Sequence, residues 1–507
     1  MQEAVDAGGA AEVRGGGAAG RRSAWTRLPG RSRVAIVVVV LCVLVYTLLL
    51  LLVPRYEGMP STDGDELHYL IISESLIDDG DLSVANNYRL EQYRAFYELP
   101  DPMWHTTRAR GRLVSTHPAF LSLVVLPGFR LFGHRGAALT MIGFVSLAAL
   151  FTFLLADRFV RRGVAAGTTL FLFLSYPLVF YARLIYPETA ALFLLALGAW
   201  AAWRLKETRR PLYAAVGGLS AGLLVLFHPK FIALSAGLLL AFLMVAGLRR
   251  SAARLYLWWA APAAACVAVL FAITFKTYGP NLIAGLTASG GSRVMGGYLG
   301  TNSVWGVFGM FLDRAWGLFI FAPLYAVFVH GLSLQNNRLE WTRWWAFFPA
   351  CIGAHVLVLG VFQSWNGGAA PVQRYLVPVA SLLAISVALF VDRCRSRVAW
   401  GTVAVLGLLQ VVSTVWAFRF MVGTYGMAGT DNIMLEHFLG NGFMKRLLLA
   451  VFPLYHPAGG GSIALTVFWL LLFAATVYAA RRYYMRHGGG RLSPVLDIGV
   501  RHFSSHQ

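Results

Sequence analysis

Three carboxylates fall within four positions at Asp63-Gly64-Asp65-Glu66, ahead of Leu67-His68-Tyr69-Leu70. Asp63 followed three residues later by Glu66 matches a capping box at the start of a helix, which gives those two a structural reading. Asp65 then falls in the first helical turn, where the positive end of the macrodipole keeps a carboxylate ionised and able to take a proton. That is the chemistry of a general base, with Glu66 as its acidic neighbour and Tyr69 one turn on. Cations that could face an anion are spread over the rest of the chain. His117, ahead of Pro118, either donates to a phosphate or caps a helix. Arg183 and Glu188, in Arg183-Leu184-Ile185-Tyr186-Pro187-Glu188, either pair with one another or contact a ligand. Lys230, in His228-Pro229-Lys230, either reaches lipid headgroups or binds a lipid phosphate, and Arg293 sits in a glycine-rich stretch. Arg374 stands at the mouth of a helix, where a guanidinium offers a planar fork to a phosphate.

These residues must be positioned by helices in a membrane. Of 507 residues, 58% are hydrophobic and 13% charged, with mean hydropathy +0.63, which excludes a soluble globular domain. The predicted fold is an all-α polytopic membrane protein of about twelve transmembrane helices, near 34–53, 136–156, 164–182, 188–205, 212–228, 231–248, 255–275, 316–332, 344–363, 374–391, 398–418 and 462–480. Residues 1–33 read as a disordered, basic cytoplasmic tail, 34–482 as the transmembrane domain, and 483–507 as a second cytoplasmic tail. The four cysteines show neither metal-ligand spacing nor an obvious disulfide pair.

Alternate crossing from a cytoplasmic amino terminus puts every short arginine-rich loop on one side, and nearly all of the net charge of +20 with them. The basic excess therefore reports topology rather than a nucleic-acid surface. This requires that 118–132, broken by Pro118 and Pro127 and carrying Arg130, lie at the outer interface instead of crossing. The outer side then holds a long first loop within 54–135 with juxtamembrane helices of its own, and further loops at 276–315 and 419–461. Asp78, Asp79 and Asp81 around Gly80 could coordinate a divalent cation, but a solvated turn fits them better.

Asp65-Glu66 with Tyr69 and Gly80-Asp81, a Pro-led stretch ending in Leu131-Phe132-Gly133, and Tyr186-Pro187-Glu188 before a helix together resemble the GT-C superfamily of integral-membrane glycosyltransferases. The nearest branches are of the protein mannosyltransferase and aminoarabinose transferase type. Asp313-Arg314 with Gly317-Leu318, and Trp365-Asn366-Gly367-Gly368 with Arg374-Tyr375-Leu376 and Pro378, resemble an uncharacterised bacterial branch. The resemblance implies a GT-C fold and transfer of a sugar from a polyprenyl-phosphate donor to a glycan, lipid or protein acceptor on the extracytoplasmic face of a bacterial inner membrane. It implies Asp65 as base and Glu66 as its partner in the acidic pair, with a divalent cation in some members. Where the family often has a lysine before the proline, this chain has His117, which leaves Lys230 or Arg374 to hold the phosphate. Two other readings predict different patterns. An O-antigen ligase or polymerase would place its key arginines and histidine in a large later loop, and a transporter would carry ionisable residues at mid-membrane.

Overall fold

The computed structural model describes residues 29–53, 64–98, 102, 104–248, 250–280, 305–334, 339–361, 365–368, 370–393, 396–419 and 461–487, with 442, 446–447 and 450–455. Arg293, Asp63, most of both tails (1–28 and 488–507) and most of the 276–315 and 419–461 loops lie outside the described residues.

The described chain is helical apart from one β-hairpin. Among the described residues eight helices are long and apolar enough to cross a membrane: α1 (Gly30–Leu52), α2 (Phe120–Ala156), α3 (Pro187–Thr208), Pro229–Ala246, Arg250–Tyr278, Arg374–Arg393, Arg397–Arg419 and Ile463–Tyr484. Pro211–Phe227, Pro323–Ser333 and Ala346–Gly360 are apolar but shorter, so the expected count of twelve is not reached as twelve full spans. Prolines account for two of the shortfalls. Over 164–182 the helix stops at Phe173 and resumes only as Leu178–Tyr181, because Pro177 disfavours helical backbone at the residue before it. Over 316–332 Pro323 divides the run into Leu318–Phe321, a 3-10 turn Pro323–Val327 and Phe328–Ser333.

The run 118–132 behaves as a separate element. Phe132 (φ −137°) and Gly133 (φ 57°, ψ −145°) leave helical geometry inside α2. A Cβ built on Gly128 would strike the carbonyl oxygen of Gly136. In a straight helix those two residues would be about 12 Å apart, so the chain reverses at Gly133 and its two arms pack glycine to glycine. Elsewhere close packing uses the same device. A Cβ on Gly218 would strike the Trp259 carbonyl and one on Gly222 the Cys266 side chain, so the small-residue stripe of Pro211–Phe227 seats Ala253–Tyr278 directly against it.

One end of the bundle is tied by ion pairs. Arg31 and Arg162 both reach Asp157, at 3.0 and 3.2 Å, Arg158 reaches Glu207 at 2.9 Å, and Arg161 reaches Asp392 at 2.7 Å. These are the loops that the charge pattern assigns to the cytoplasm. Glu188 and Glu207 stand at opposite ends of α3, about 30 Å apart at helical rise, which matches the thickness of a hydrocarbon core.

Candidate active site

At the far end from those arginines, three helices begin with the residues of interest. Glu188 is in the first turn of α3, Lys230 in the 3-10 turn Pro229–Phe231 that leads into Ile232–Ala246, and Arg374 opens the 3-10 turn Arg374–Val379 ahead of Ala380–Arg393. Asp65 is the N-cap of a fourth helix, Glu66–Asp78. Four positive helix ends therefore point at one place, where an anion is favoured.

Local sequence explains each placement. Asp65 accepts the His68 and Tyr69 amides on its backbone carbonyl, and its side chain makes no capping bond, which leaves the carboxylate free. The helix begins at Glu66, so Asp65 is its N-cap and not a first-turn residue as expected; Asp63, the other half of the expected capping box, lies outside the described residues. Glu66 is fully buried and accepts the Ile185 amide at 2.9 Å, so it anchors the loop ahead of α3. The Glu66–Asp78 helix is held to α2 by Ser122, whose hydroxyl donates to the Tyr69 carbonyl at 2.8 Å. Arg374 follows Gln373, which has φ 64° and donates to the Trp316 and Gly317 carbonyls, both at 3.2 Å. The hydroxyls of Tyr181 and Tyr176 donate to the carbonyls of Pro371 and Val372 and fix the same segment.

The result is a chain of alternating charge. Arg374 contacts Asp65 at 2.6 Å through one Nη and Glu188 at 2.5 Å through Nε, and Lys230 contacts the same Glu188 oxygen at 2.7 Å. Two cations and two carboxylates balance in a buried site. The Glu188 side chain is 0% exposed, those of Arg374 and Lys230 are 7% and 10%, and that of Asp65 is 19%. Asp65 is thus the more accessible of the two carboxylates. Aromatic rings line the cations, with Tyr186 4.4 Å from the Arg374 guanidinium carbon and Tyr375 5.2 Å from the Lys230 ammonium. Burial would raise the Asp65 carboxyl, but the Arg374 guanidinium beside it outweighs this and holds the group well below the usual carboxylate range.

His117 faces Asp65 at 3.8 Å and pairs with His105 at 3.1 Å. It does not cap α2, whose N-cap is Ala119. Burial brings its imidazolium down to about 4 despite the pull of Asp65, so the ring is neutral at neutral pH. Tyr69 packs edge-on against His117, and its buried hydroxyl has no hydrogen-bond partner among the described residues. Arg183 does not join the site through Glu188. It turns to the end of α1 and donates to the Leu49 and Val53 carbonyls at 2.8 and 3.3 Å, so the expected Arg183–Glu188 pair is replaced by Glu188–Lys230 and Glu188–Arg374. The Asp78, Asp79 and Asp81 carboxylates are engaged in the turn: Gln92 donates to Asp78, Asn86 to Asp79 and the Ser83 amide to Asp81.

His105 was missed by sequence reasoning, and so was the part played by His68. The hairpin β1 (Thr106–Ala109) and β2 (Arg112–Ser115) turns at Arg110-Gly111, both with positive φ (51° and 76°) as a two-residue hairpin turn requires. Its ladder continues through the Thr116 amide to the His105 carbonyl at 2.9 Å, and this brings His105 beside His117. The signal was present as Thr106, Thr107 and Val114 flanking an X-Gly turn.

No protein-family model and no curated protein matches the sequence. Similar solved structures include ArnT from Cupriavidus metallidurans bound to undecaprenyl phosphate, at 17% identity and TM-score 0.47, covering 89% of this chain and 74% of that one. The same protein in the apo state gives 16% identity and TM-score 0.45 over the same shares. The archaeal oligosaccharyltransferase AglB from Archaeoglobus fulgidus, in complex with an inhibitory peptide and a dolichol-phosphate, gives 13% identity and TM-score 0.43 over 78% of this chain and 56% of that one. At these identities the likeness is one of helical arrangement.

Proposed function

We propose that the protein is a glycosyltransferase that moves a sugar from a polyprenyl-phosphate donor to an acceptor hydroxyl, with Asp65 as general base. The observation that carries this reading is the bridge from Asp65 through Arg374 to Glu188 and Lys230 at four converging helix starts. In the reaction the acceptor oxygen attacks the anomeric carbon, its proton passes to Asp65, and the bond to the polyprenyl phosphate breaks. Charge then grows on the departing phosphate. Arg374 and Lys230 supply the cations for it, and Lys230 commits one of its three protons to the hydrogen bond with Glu188. Glu188 is fully buried; its role is to fix the two cations. Arg183 and Glu66 hold the walls of the site.

The reading places the site on the extracytoplasmic face of a bacterial inner membrane, with both termini cytoplasmic. It is supported by the arginine-rich ion pairs about 30 Å away at the other end of α3, since such loops stay inside. The charged residues cluster at helix starts and not mid-helix, which favours an enzyme over a transporter.

The test is sugar transfer from a synthetic polyprenyl-phosphate sugar in proteoliposomes. Asp65→Asn, folded as judged by an unchanged elution profile and melting curve, is expected to slow transfer about 10²- to 10⁴-fold, the contribution of a positioned general base. A rate equal to that of the wild type removes Asp65 from the mechanism.

A further inference from the structure

His68, His105 and His117 come from two elements far apart in sequence, the Glu66–Asp78 helix and the two ends of the hairpin, yet one ring nitrogen from each lies within 4.8 Å of the other two. The rings stack with centroids 4.1 Å apart for His68 and His105, 5.1 Å for His68 and His117, and 5.4 Å for His105 and His117. The closest nitrogens, Nδ1 of His105 and Nε2 of His117, are 3.1 Å apart. Two imidazole nitrogens bound to one zinc at about 2.0 to 2.1 Å with tetrahedral angles would be separated by roughly 3.3 Å. Asp65 Oδ1 is 4.0 Å from the first of these nitrogens and 3.8 Å from the second, so a carboxylate oxygen lies at the open side of the triad.

We propose that His68, His105 and His117 bind one divalent transition-metal ion of the zinc class, with its remaining position facing Asp65. Imidazole donors select zinc, copper, nickel or iron over magnesium and calcium, which take oxygen. The surroundings suit a metal-bound imidazole. The Tyr88 hydroxyl is 2.8 Å from His68 Nδ1 and fixes that ring, as outer partners of ligating histidines do. Trp104 in turn stacks on Tyr88 at 4.6 Å. The Asp65 Oδ2 oxygen is taken by Arg374, which leaves Oδ1 on the histidine side as the fourth ligand or as the acceptor of a proton from a metal-bound hydroxyl. The competing arrangement is a purely hydrogen-bonded stack in which one proton is shared between His105 and His117, and it predicts no metal uptake.

Zinc uptake is measured without any sugar transfer, so it stands or falls separately from the proposed reaction. The full chain in detergent, with any affinity tag cleaved, is stripped with chelator, desalted and titrated with zinc against a chromophoric chelator. One zinc per chain is expected, with no competition from excess magnesium. Cobalt in its place is expected to give visible d–d bands. His105→Gln with His117→Gln is expected to weaken zinc binding at least 100-fold with the metal-free melting curve retained. Where the double variant does not fold, His105→Gln alone serves, because that side chain is 39% exposed; at least a tenfold loss is expected. Wild-type protein that binds no zinc, or variants that bind it as tightly as the wild type, would overturn the site.

Discussion

The arrangement of charge in the site makes a quantitative demand on Glu188. Its carboxylate is fully buried and receives Lys230 at 2.7 Å and Arg374 at 2.5 Å. Glu188→Gln keeps the shape but leaves Lys230 and Arg374 with Asp65 as their one remaining carboxylate, a buried excess of one positive charge. Losing one partner of a buried pair costs about 3 to 5 kcal/mol. Coulomb's law gives a similar figure, about 4 kcal/mol for unit charges 4 Å apart at an effective dielectric constant of 20. Lys230→Met alone is expected to cost less, because Glu188 keeps Arg374. The double variant restores neutrality and keeps the Asp65–Arg374 pair, so it should be more stable than Glu188→Gln despite carrying an extra change. A double-mutant cycle on unfolding free energy in mixed detergent micelles is expected to return a coupling of about 3 kcal/mol, at the top of the range for residues in contact. If the two changes add to within about 0.5 kcal/mol, the pair does not interact and the charge chain is the wrong description.

Three further perturbations have directions set by the geometry. His117 has a folded value of about 4 against 6.5 for the free side chain, so the fold prefers the neutral ring. Its contribution to stability is complete above pH 6.5 and is lost as pH falls from 6.5 towards 4, by up to about 3 kcal/mol; stability measured against pH in metal-free protein should be flatter over that window in His117→Gln. Glu66→Gln keeps an acceptor for the Ile185 amide and is expected to leave sugar transfer within a few-fold of wild type, whereas Glu66→Ala orphans that amide and should lower the unfolding free energy by about 1 to 3 kcal/mol. Gly136→Leu has no room, since even a Cβ there would meet the Gly128 carbonyl, so it should force the α2 hairpin apart and leave protein with a strongly lowered melting temperature; a normal melting curve would mean the two arms are not in contact.

Much of this fold is readable from composition because lipid tolerates few solutions. Among the described residues eight of the expected runs form full-length apolar helices, and two of those that fall short do so where proline breaks a run that hydropathy alone shows as continuous, at Pro177 and Pro323. The site was readable as a set of residue types and not as a set of pairs. Asp65 was legible from its acidic cluster at a helix start, Lys230 as a cation on the outer side, and Arg374 from its place at the mouth of a helix. Which partner each takes was not. Arg183 and Glu188 are five residues apart and invite pairing, but the helix start at Pro187 sends Glu188 inward to Arg374, while Arg183 turns to the carbonyls at the end of α1. The histidines were hidden for a different reason. Within a long loop read as having helical stretches of its own, the hairpin that joins His105 to His117 rests on two residues, Arg110 and Gly111, and a period-two pattern only four residues long on each side.

Position and charge together explain why Asp65 rather than Glu188 carries the proposed chemistry. Both carboxylates touch Arg374, both lie at helix starts, and both belong to the same neutral set. They differ in what remains once the ion pairs are made. Glu188 gives one oxygen to two cations, and its other oxygen is enclosed with no access from outside. Asp65 gives Oδ2 to Arg374 and keeps Oδ1 towards the histidines, with 19% of its side chain still open. An acceptor hydroxyl can reach Oδ1 without breaking the pair that keeps the carboxylate ionised. A donor phosphate arriving at Lys230 and Arg374 would meet the other side of the same guanidinium. In the proposed reaction the two substrates would therefore approach one arginine from different sides.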